Sequence, residues 1–185
     1  MRVSKQQAAE NREKILDAAA RLIRERGIAG VGVDALAEAA GMTHGSVYSQ
    51  FGSKERLAAE AIGRAIAGSA ERAVGFGSLA EYAASYLSAR HRDAPGGGCA
   101  LAALGGEVQR HDGAVRGSFT DGVRRMAGRV AALLPEAAET DREQQALARV
   151  ATLVGALVLA RAVDDPALSD RILAAGQDAV AGDAG

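Results

Sequence analysis

Tryptophan is absent from this 185-residue sequence, cysteine occurs once, proline three times, and phenylalanine and tyrosine together only six times. Each scarcity excludes something. A single cysteine, Cys99, can neither close an intrachain disulfide nor build a multi-cysteine metal site, and it suits a reducing compartment. So few prolines leave long stretches free to be helical, and no segment alternates apolar and polar residues over the length of a strand. The longest apolar run, Val150–Ala160, lies between Arg149 and Arg161. It is about half the length that a membrane span of roughly twenty residues requires. The N-terminus carries no apolar signal-like stretch. The expectation is a soluble, cytoplasmic, all-α protein with no membrane contact.

Charge of one sign is also lacking. The formal net charge is −1, so no global basic field advertises a nucleic-acid partner. Locally, Met1–Arg26 holds seven bases (Arg2, Lys5, Arg12, Lys14, Arg21, Arg24, Arg26) against four acids (Glu10, Glu13, Asp17, Glu25), a modest positive footprint. Catalytic patterns are missing as well. His44, His91 and His111 lie far apart and none opens an H-E-x-x-H helix. There is no G-x-S-x-G and no P-loop, and Gly96–Gly98 follows a helical pattern rather than a strand, a poor phosphate cradle. No enzyme activity, metal or cofactor is expected.

What is present centres on Val33–Leu57, VDALAEAAGMTHGSVYSQFGSKERL. Leu36, Ala37 and Ala40 share one face of a short helix, Val33–Ala40, and Gly41 ends it. Thr43 caps a second helix, His44–Gln50, with Val47 and Phe51 inward, and Ser53 caps a third that starts at Lys54. Helix, short turn with Gly, helix is the helix-turn-helix unit, whose second helix enters the DNA major groove. The outer face of that second helix carries hydroxyl, amide and imidazole groups, which bond to phosphates and base edges. Gly45 permits close approach to a sugar-phosphate strand. A plain helical hairpin in an all-α core is the alternative.

The run G-M-T-H-G-S-V-Y-S-Q-F-G-S-K-E-R-L resembles the DNA-binding domain of the tetracycline-repressor (TetR) family, with Tyr48, Phe51, Lys54 and Leu57 at the family's spacing. The resemblance spans roughly Arg12 to Ile66. Two departures stand out: Gly32 replaces the usual Ser or Thr cap, and Gln50 replaces the commoner His or Asn. The resemblance implies a transcriptional regulator, most simply a repressor, binding a palindromic double-stranded DNA operator as a homodimer. Thr43, His44, Gly45, Ser46, Tyr48 and Gln50 match the DNA-contacting positions, with Lys54 in support. It also implies two domains, residues 1–54 for DNA and 55–185 for a small effector and dimerisation.

Along the chain, Met1–Gln7 reads as a polar arm and Ala8–Arg26 as a helix ended by Gly27. Helices follow over Lys54–Val74, Leu79–His91, Cys99–Arg110, Gly113–Leu134 with Asp112 as cap, a long helix from Thr140 or Asp141 to Val163, and Ala167–Ala181. The total is about nine. Gly75–Ser78 is the clearest linker and Arg92–Gly98 a breaker-rich loop.

Four of the six aromatics fall between Phe76 and Phe119. Tyr82, Tyr86, Cys99, Phe119 and Met126 are the candidate effector pocket, lined with apolar groups plus phenols to orient a small, mainly apolar ligand. Ordinary core packing is the competing reading. The rim residues His91, Arg92 and Asp93 are the only charges expected there, which disfavours a highly charged effector. Cys99, at a helix N-terminus, could serve a thiol-based redox-sensing repressor instead, and a non-DNA helical interaction module is a further alternative. Leu147, Val150, Val154, Leu157 and Val158, with Ala151 and Gly155, form a broad stripe. Together with the dimer that the resemblance implies, that stripe makes residues 140–181 the expected homodimer interface, and completion of the monomer core is the competing reading.

Overall fold

The computed structural model describes residues 4–72, 75–111, 113–136 and 138–182, and residues 69–72 by their backbone only. Among the described residues there are ten α-helices, one 3-10 turn and no strand, one helix more than the sequence reading counts. The all-α expectation is met. The candidate cap Asp112, the arm residues Met1–Val3 and the junction at Ala73 and Val74 lie outside the described residues.

Helix α1 (Lys5–Arg26) begins three residues before the expected Ala8, because Ser4 caps it by accepting the Gln7 N–H. Side-chain bonds from Gln6 to Glu10 and from Gln7 to Asn11 secure that first turn, so Lys5–Gln7 of the expected arm is helix. Gly27 closes α1 at φ 76°, and its N–H returns to the Ile23 carbonyl. Helix α2 (Val33–Ala40) ends on Gly41 in the left-handed conformation (φ 65°, ψ 34°), which glycine adopts without the Cβ penalty. Helix α3 (His44–Phe51) starts from Thr43, and α4 (Lys54–Arg72) from Ser53, whose hydroxyl accepts the Arg56 N–H.

Beyond the linker, α5 (Leu79–Tyr86) stops where the sequence reading continued to His91. Leu87 turns the chain, and Ser88 accepts the His91 N–H to start α6 (Ala89–Asp93). A 3-10 turn over Pro95–Gly97 leads to α7 (Ala100–Val108), with Cys99 at its N-cap. Helices α8 (Gly113–Ala132), α9 (Glu139–Ala162) and α10 (Pro166–Ala181) complete the chain. Asp165 caps α10 by accepting two backbone N–H groups, with Pro166 at the first helical position.

Two apolar cores form. The first gathers Ile15, Leu22, Leu36, Val47, Phe51, Leu57 and Ile62 from α1–α4 and draws in Ala100, Leu104, Val108 and Val115 from α7 and α8. The second gathers Tyr82, Tyr86 and Leu87 with Leu101, Met126, Val130, Leu153, Leu157 and Leu173. The spacing of α7 explains its double membership: positions 100, 104 and 108 share one face, while Leu101 and the preceding Cys99 look to the other core. Helix α8 does the same along its length, and Phe119 packs half-buried against both.

At 24 residues, with a mean hydropathy of 1.4 over its most apolar window, α9 is long and apolar enough by composition to cross a membrane. Its apolarity has two faces. Ala146, Val150, Leu153, Leu157 and Ala160 are buried in the second core, whereas Leu147 and Val158 are 44% and 40% exposed on another side.

Candidate DNA-reading surface and effector cavity

The candidate reading helix, α3, is presented by packing beneath it. Val47 and Phe51, four residues apart, are 3% and 1% exposed and fix α3 on the first core. Arg12 from α1 lies over the Phe51 ring, 4.4 Å from its centre, and pairs with Glu60 of α4 at 2.5 Å. Arg64 of α4 pairs with Glu13 and Asp17 of α1 at 2.9 and 2.8 Å. Part of the N-terminal positive charge therefore binds α1 to α4 rather than facing a partner.

On the outer face, Thr43, His44, Gly45 and Tyr48 are exposed, and Tyr48 at 45% is a large ring left in water. The His44 and Tyr48 rings lie 5.1 Å apart, tilted by 30°. His44 Nδ1 sits 2.5 Å from the Asp34 carboxylate of α2, which orients the imidazole across the turn. Thr43 accepts the Ser46 N–H and its hydroxyl meets that of Ser46 at 2.9 Å, so half-buried Ser46 serves the cap first. A Cβ on Gly45 would meet nothing within 4 Å, so the space above it is open. Gln50 differs from its neighbours: half-buried, it donates from Nε2 to the Ala8 carbonyl of α1 at 3.3 Å. Lys54 is half-buried at the start of α4.

The second site is a cavity of about 450 Å³ in the other half of the molecule. Tyr82 and Tyr86, one turn apart on α5, form one wall with Phe76, whose ring stands edge-on to Tyr82 at 5.5 Å. Met126 and Arg129, three apart on α8, form another, and Cys99 with Gly97 and Gly98 closes the end. Phe119, expected here, does not line the cavity. Seven residues before Met126, it shares a helix face but lies about 10 Å away along α8. Arg92 and Asp93 are likewise not in the lining: Arg92 pairs with Asp93 and with Asp170 of α10, each at 2.7 Å. The basic residues that do line it are Arg90, His91 and Arg129. Arg90 and Arg129 carried no sequence signal, since their positions depend on how α6 and α8 pack.

His91 is locked by both ring nitrogens. Nδ1 lies 2.6 Å from the Tyr86 carbonyl, which can only accept, and Nε2 lies 3.0 Å from the Cys99 backbone N–H, which can only donate. These partners assign the neutral tautomer with the proton on Nδ1. Gly98 is needed for this approach, because a Cβ there would come within 2.8 Å of Nε2. Arg161 of α9 holds the same segment from behind, donating to the carbonyls of His91 (2.6 Å) and Arg92 (3.0 Å). Burial pushes both phenols above their ordinary value: Tyr82 moderately, with Arg129 opposing, and Tyr86 well above, reinforced by the Cys99 thiol. The Tyr86 hydroxyl and Arg129 Nε are buried with no hydrogen-bond partner. Cys99 is 8% exposed. Among the described residues, no group of three or more His, Cys, Asp or Glu is placed to hold a metal.

Besides the apolar packing of α7 and α8, two polar contacts connect the cavity half to the N-terminal half, and neither had a sequence signal. Arg24 of α1 donates from Nε to the Gly96 carbonyl at 2.7 Å, in the segment that closes the cavity. Glu107 of α7 accepts the Ile28 and Ala29 N–H groups at 2.8 and 2.6 Å, in the turn between α1 and α2.

A helix-turn-helix with its second helix bared, set on a helical body of its own, defines the class of DNA-binding transcription factors. Comparison with known proteins gives the family. The profile described as "Bacterial regulatory proteins, tetR family" matches residues 15–61, and that of "Tetracyclin repressor-like, C-terminal domain" matches residues 75–175. The chain belongs to the tetR family: it is a transcriptional regulator and not an enzyme. The HTH-type transcriptional regulator AcrR of Shigella flexneri is 41% identical over 59 residues, which are 32% of this chain and 27% of that protein, so the match spans about a quarter of the curated relative. The solved structure of E. coli NemR in its reduced form shares the fold at TM-score 0.76 and 23% identity, covering 94% of this chain and 96% of that one. A TetR transcriptional regulator from Chloroflexus aurantiacus does so at TM-score 0.75 and 24% identity, covering 96% and 95%.

Proposed function

We propose that this chain is a cytoplasmic, homodimeric repressor that leaves its operator when a small, mainly apolar effector fills the cavity. The observation that carries this reading is the pair of contacts between the two halves, Arg24 to Gly96 and Glu107 to the Ile28–Ala29 turn. A guest pressing on Gly97, Gly98 or Cys99 displaces the segment that Arg24 grips, and α1 carries that displacement to the reader. Helix α4, packed on both α1 and α8, supplies a parallel route. An effector shifts the balance between two packings only by its differential affinity for them.

The DNA-reading unit is residues 1–54, and 55–185 form the effector and dimerisation unit. Thr43, His44, Gly45 and Tyr48 read the major groove, with Ser46 shaping the helix start, Lys54 near phosphate and Gln50 tying the reader to α1. The second copy covers the face of α9 that carries Leu147, Ala151 and Val158, within the 140–181 segment. Two readers then meet two half-sites about one or more helical turns apart. A thiol trigger at Cys99 has less support, since the residue is nearly buried and is the chain's one cysteine.

Selection of bound sequences from a random DNA pool, followed by footprinting, tests this. An inverted repeat protected on one face of the duplex is expected. Enrichment of no sequence, or of a single half-site bound by a monomer, overturns it.

A further inference from the structure

An apolar guest leaves part of the cavity unexplained. No aspartate or glutamate lines it, whereas Arg90 and Arg129 do. Neutral His91 spends both ring nitrogens on the backbone and offers neither a charge nor a bond. Arg129, beside the Tyr82 phenol, keeps Nε buried and without an acceptor, and the hydroxyl of Tyr86, a residue only 8% exposed, faces the Cys99 thiol, a weak acceptor. Donors buried without strong acceptors are destabilising. Here two of them belong to residues lining one cavity. What the site lacks is an acceptor with negative charge.

We infer that the cavity takes a small aromatic carboxylic acid, its carboxylate held by Arg129 and the Tyr86 hydroxyl and its ring against Phe76, Tyr82 and Met126. A guanidinium matches the planar pair of carboxylate oxygens. Arg90, exposed at the rim, adds attraction at entry. A single negative charge is favoured over a phosphate dianion, because the remaining lining is largely aromatic and aliphatic and would desolvate the second charge without compensation. About 450 Å³ accommodates one or two fused rings. The regulatory meaning of such binding rests on the effector reading above; the binding itself does not.

The test uses 2-naphthoate and its neutral isostere 2-naphthamide. The chain has no tryptophan, so naphthalene emission is read without an indole background. Direct titration of the full chain should show the acid bound roughly tenfold more tightly than the amide or better. Arg129→Gln should bring the two affinities together while leaving that of the amide within about threefold. Tyr86→Phe should weaken the acid selectively. Arg129→Lys keeps the charge and should keep part of the preference, which separates charge loss from misfolding. Equal affinities in the unaltered chain overturn the inference, as does a preference that survives Arg129→Gln, or failure of either probe to bind at millimolar concentration. Release of a selected operator is measured separately. If naphthoate binds without releasing DNA, the effector reading fails while the assignment of the cavity stands.

Discussion

Tyr48 and His44 are the side chains whose loss best isolates reading from folding. Both project from α3 into water, and the ring contact between them is made outside the core. Removing either opens no cavity. His44→Ala and Tyr48→Phe should each weaken operator binding, by about 1–3 kcal/mol where the group reads a base and by less where it grips phosphate. Melting temperatures should stay unchanged, and operator affinity unaltered in both variants would remove α3 as the reader. Tyr82 and Tyr86 present the opposite case. Burial raises both phenols, so the stability that comes from keeping them neutral is fully present below about pH 10, their unfolded value, and is lost as pH rises through the folded values. Thermal stability should therefore fall above pH 10, and Tyr86→Phe should flatten part of that fall. At neutral pH the same variant should cost little, since the Cys99 thiol beside its hydroxyl is only a weak acceptor. A steep loss of stability there would mean that the hydroxyl is strongly bonded after all.

At the scale of elements, α7 is the member whose surroundings explain most. Its Ala100, Leu104 and Val108 face lies in the first core, and Glu107 reaches from its last turn to the backbone between α1 and α2. Glu107→Gln keeps the shape but replaces one acceptor oxygen with a donor facing a backbone N–H. Leaving such a group unsatisfied costs about 1–3 kcal/mol. A drop in melting temperature of about 2–10 °C should follow. If the clamp carries the signal, effector-induced release of DNA should also weaken by more than basal operator affinity does. Equal losses in both would make Glu107 a structural residue only.

Three of the five large hydrophobic side chains exposed among the described residues, Leu147, Val158 and Leu159, belong to α9. On α9, the residues at 147, 151, 154 and 158 repeat every three or four positions, so they share a face distinct from the buried one at 146, 150, 153, 157 and 160. Val154 is half-buried and packs partly against the second core, so substituting it confounds folding with assembly. Val158 is the cleaner probe. Val158→Glu would place a carboxylate against apolar partners in a dimer while remaining solvated in a monomer. Sedimentation should show a shift to monomer with the helical content retained, and operator binding should fall because the half-sites are no longer held together. An unchanged dimer would move the interface off α9.

Local chemistry sufficed for the reading half. Gly41, Thr43 and Ser53 state where helices stop and start, and the spacing from Val47 to Leu57 states which residues face inward. Each of these signals acts within four or five residues, the range over which backbone capping and helical periodicity operate. The same rules located the α10 start at Asp165 and Pro166. They failed where a distant partner decides. The break at Leu87 and Ser88 is held by Gln177 bonding the Leu87 carbonyl across ninety residues of sequence. The separation of Phe119 from the cavity follows from the rise along α8, which composition does not record. Likewise Arg129, Arg90, Arg24 and Glu107 look like ordinary surface charges in the sequence. Only when α1, α6, α7 and α8 pack do two of them line a cavity and two of them join it to the reader, because a charged side chain takes its role from what the fold places within reach of its tip.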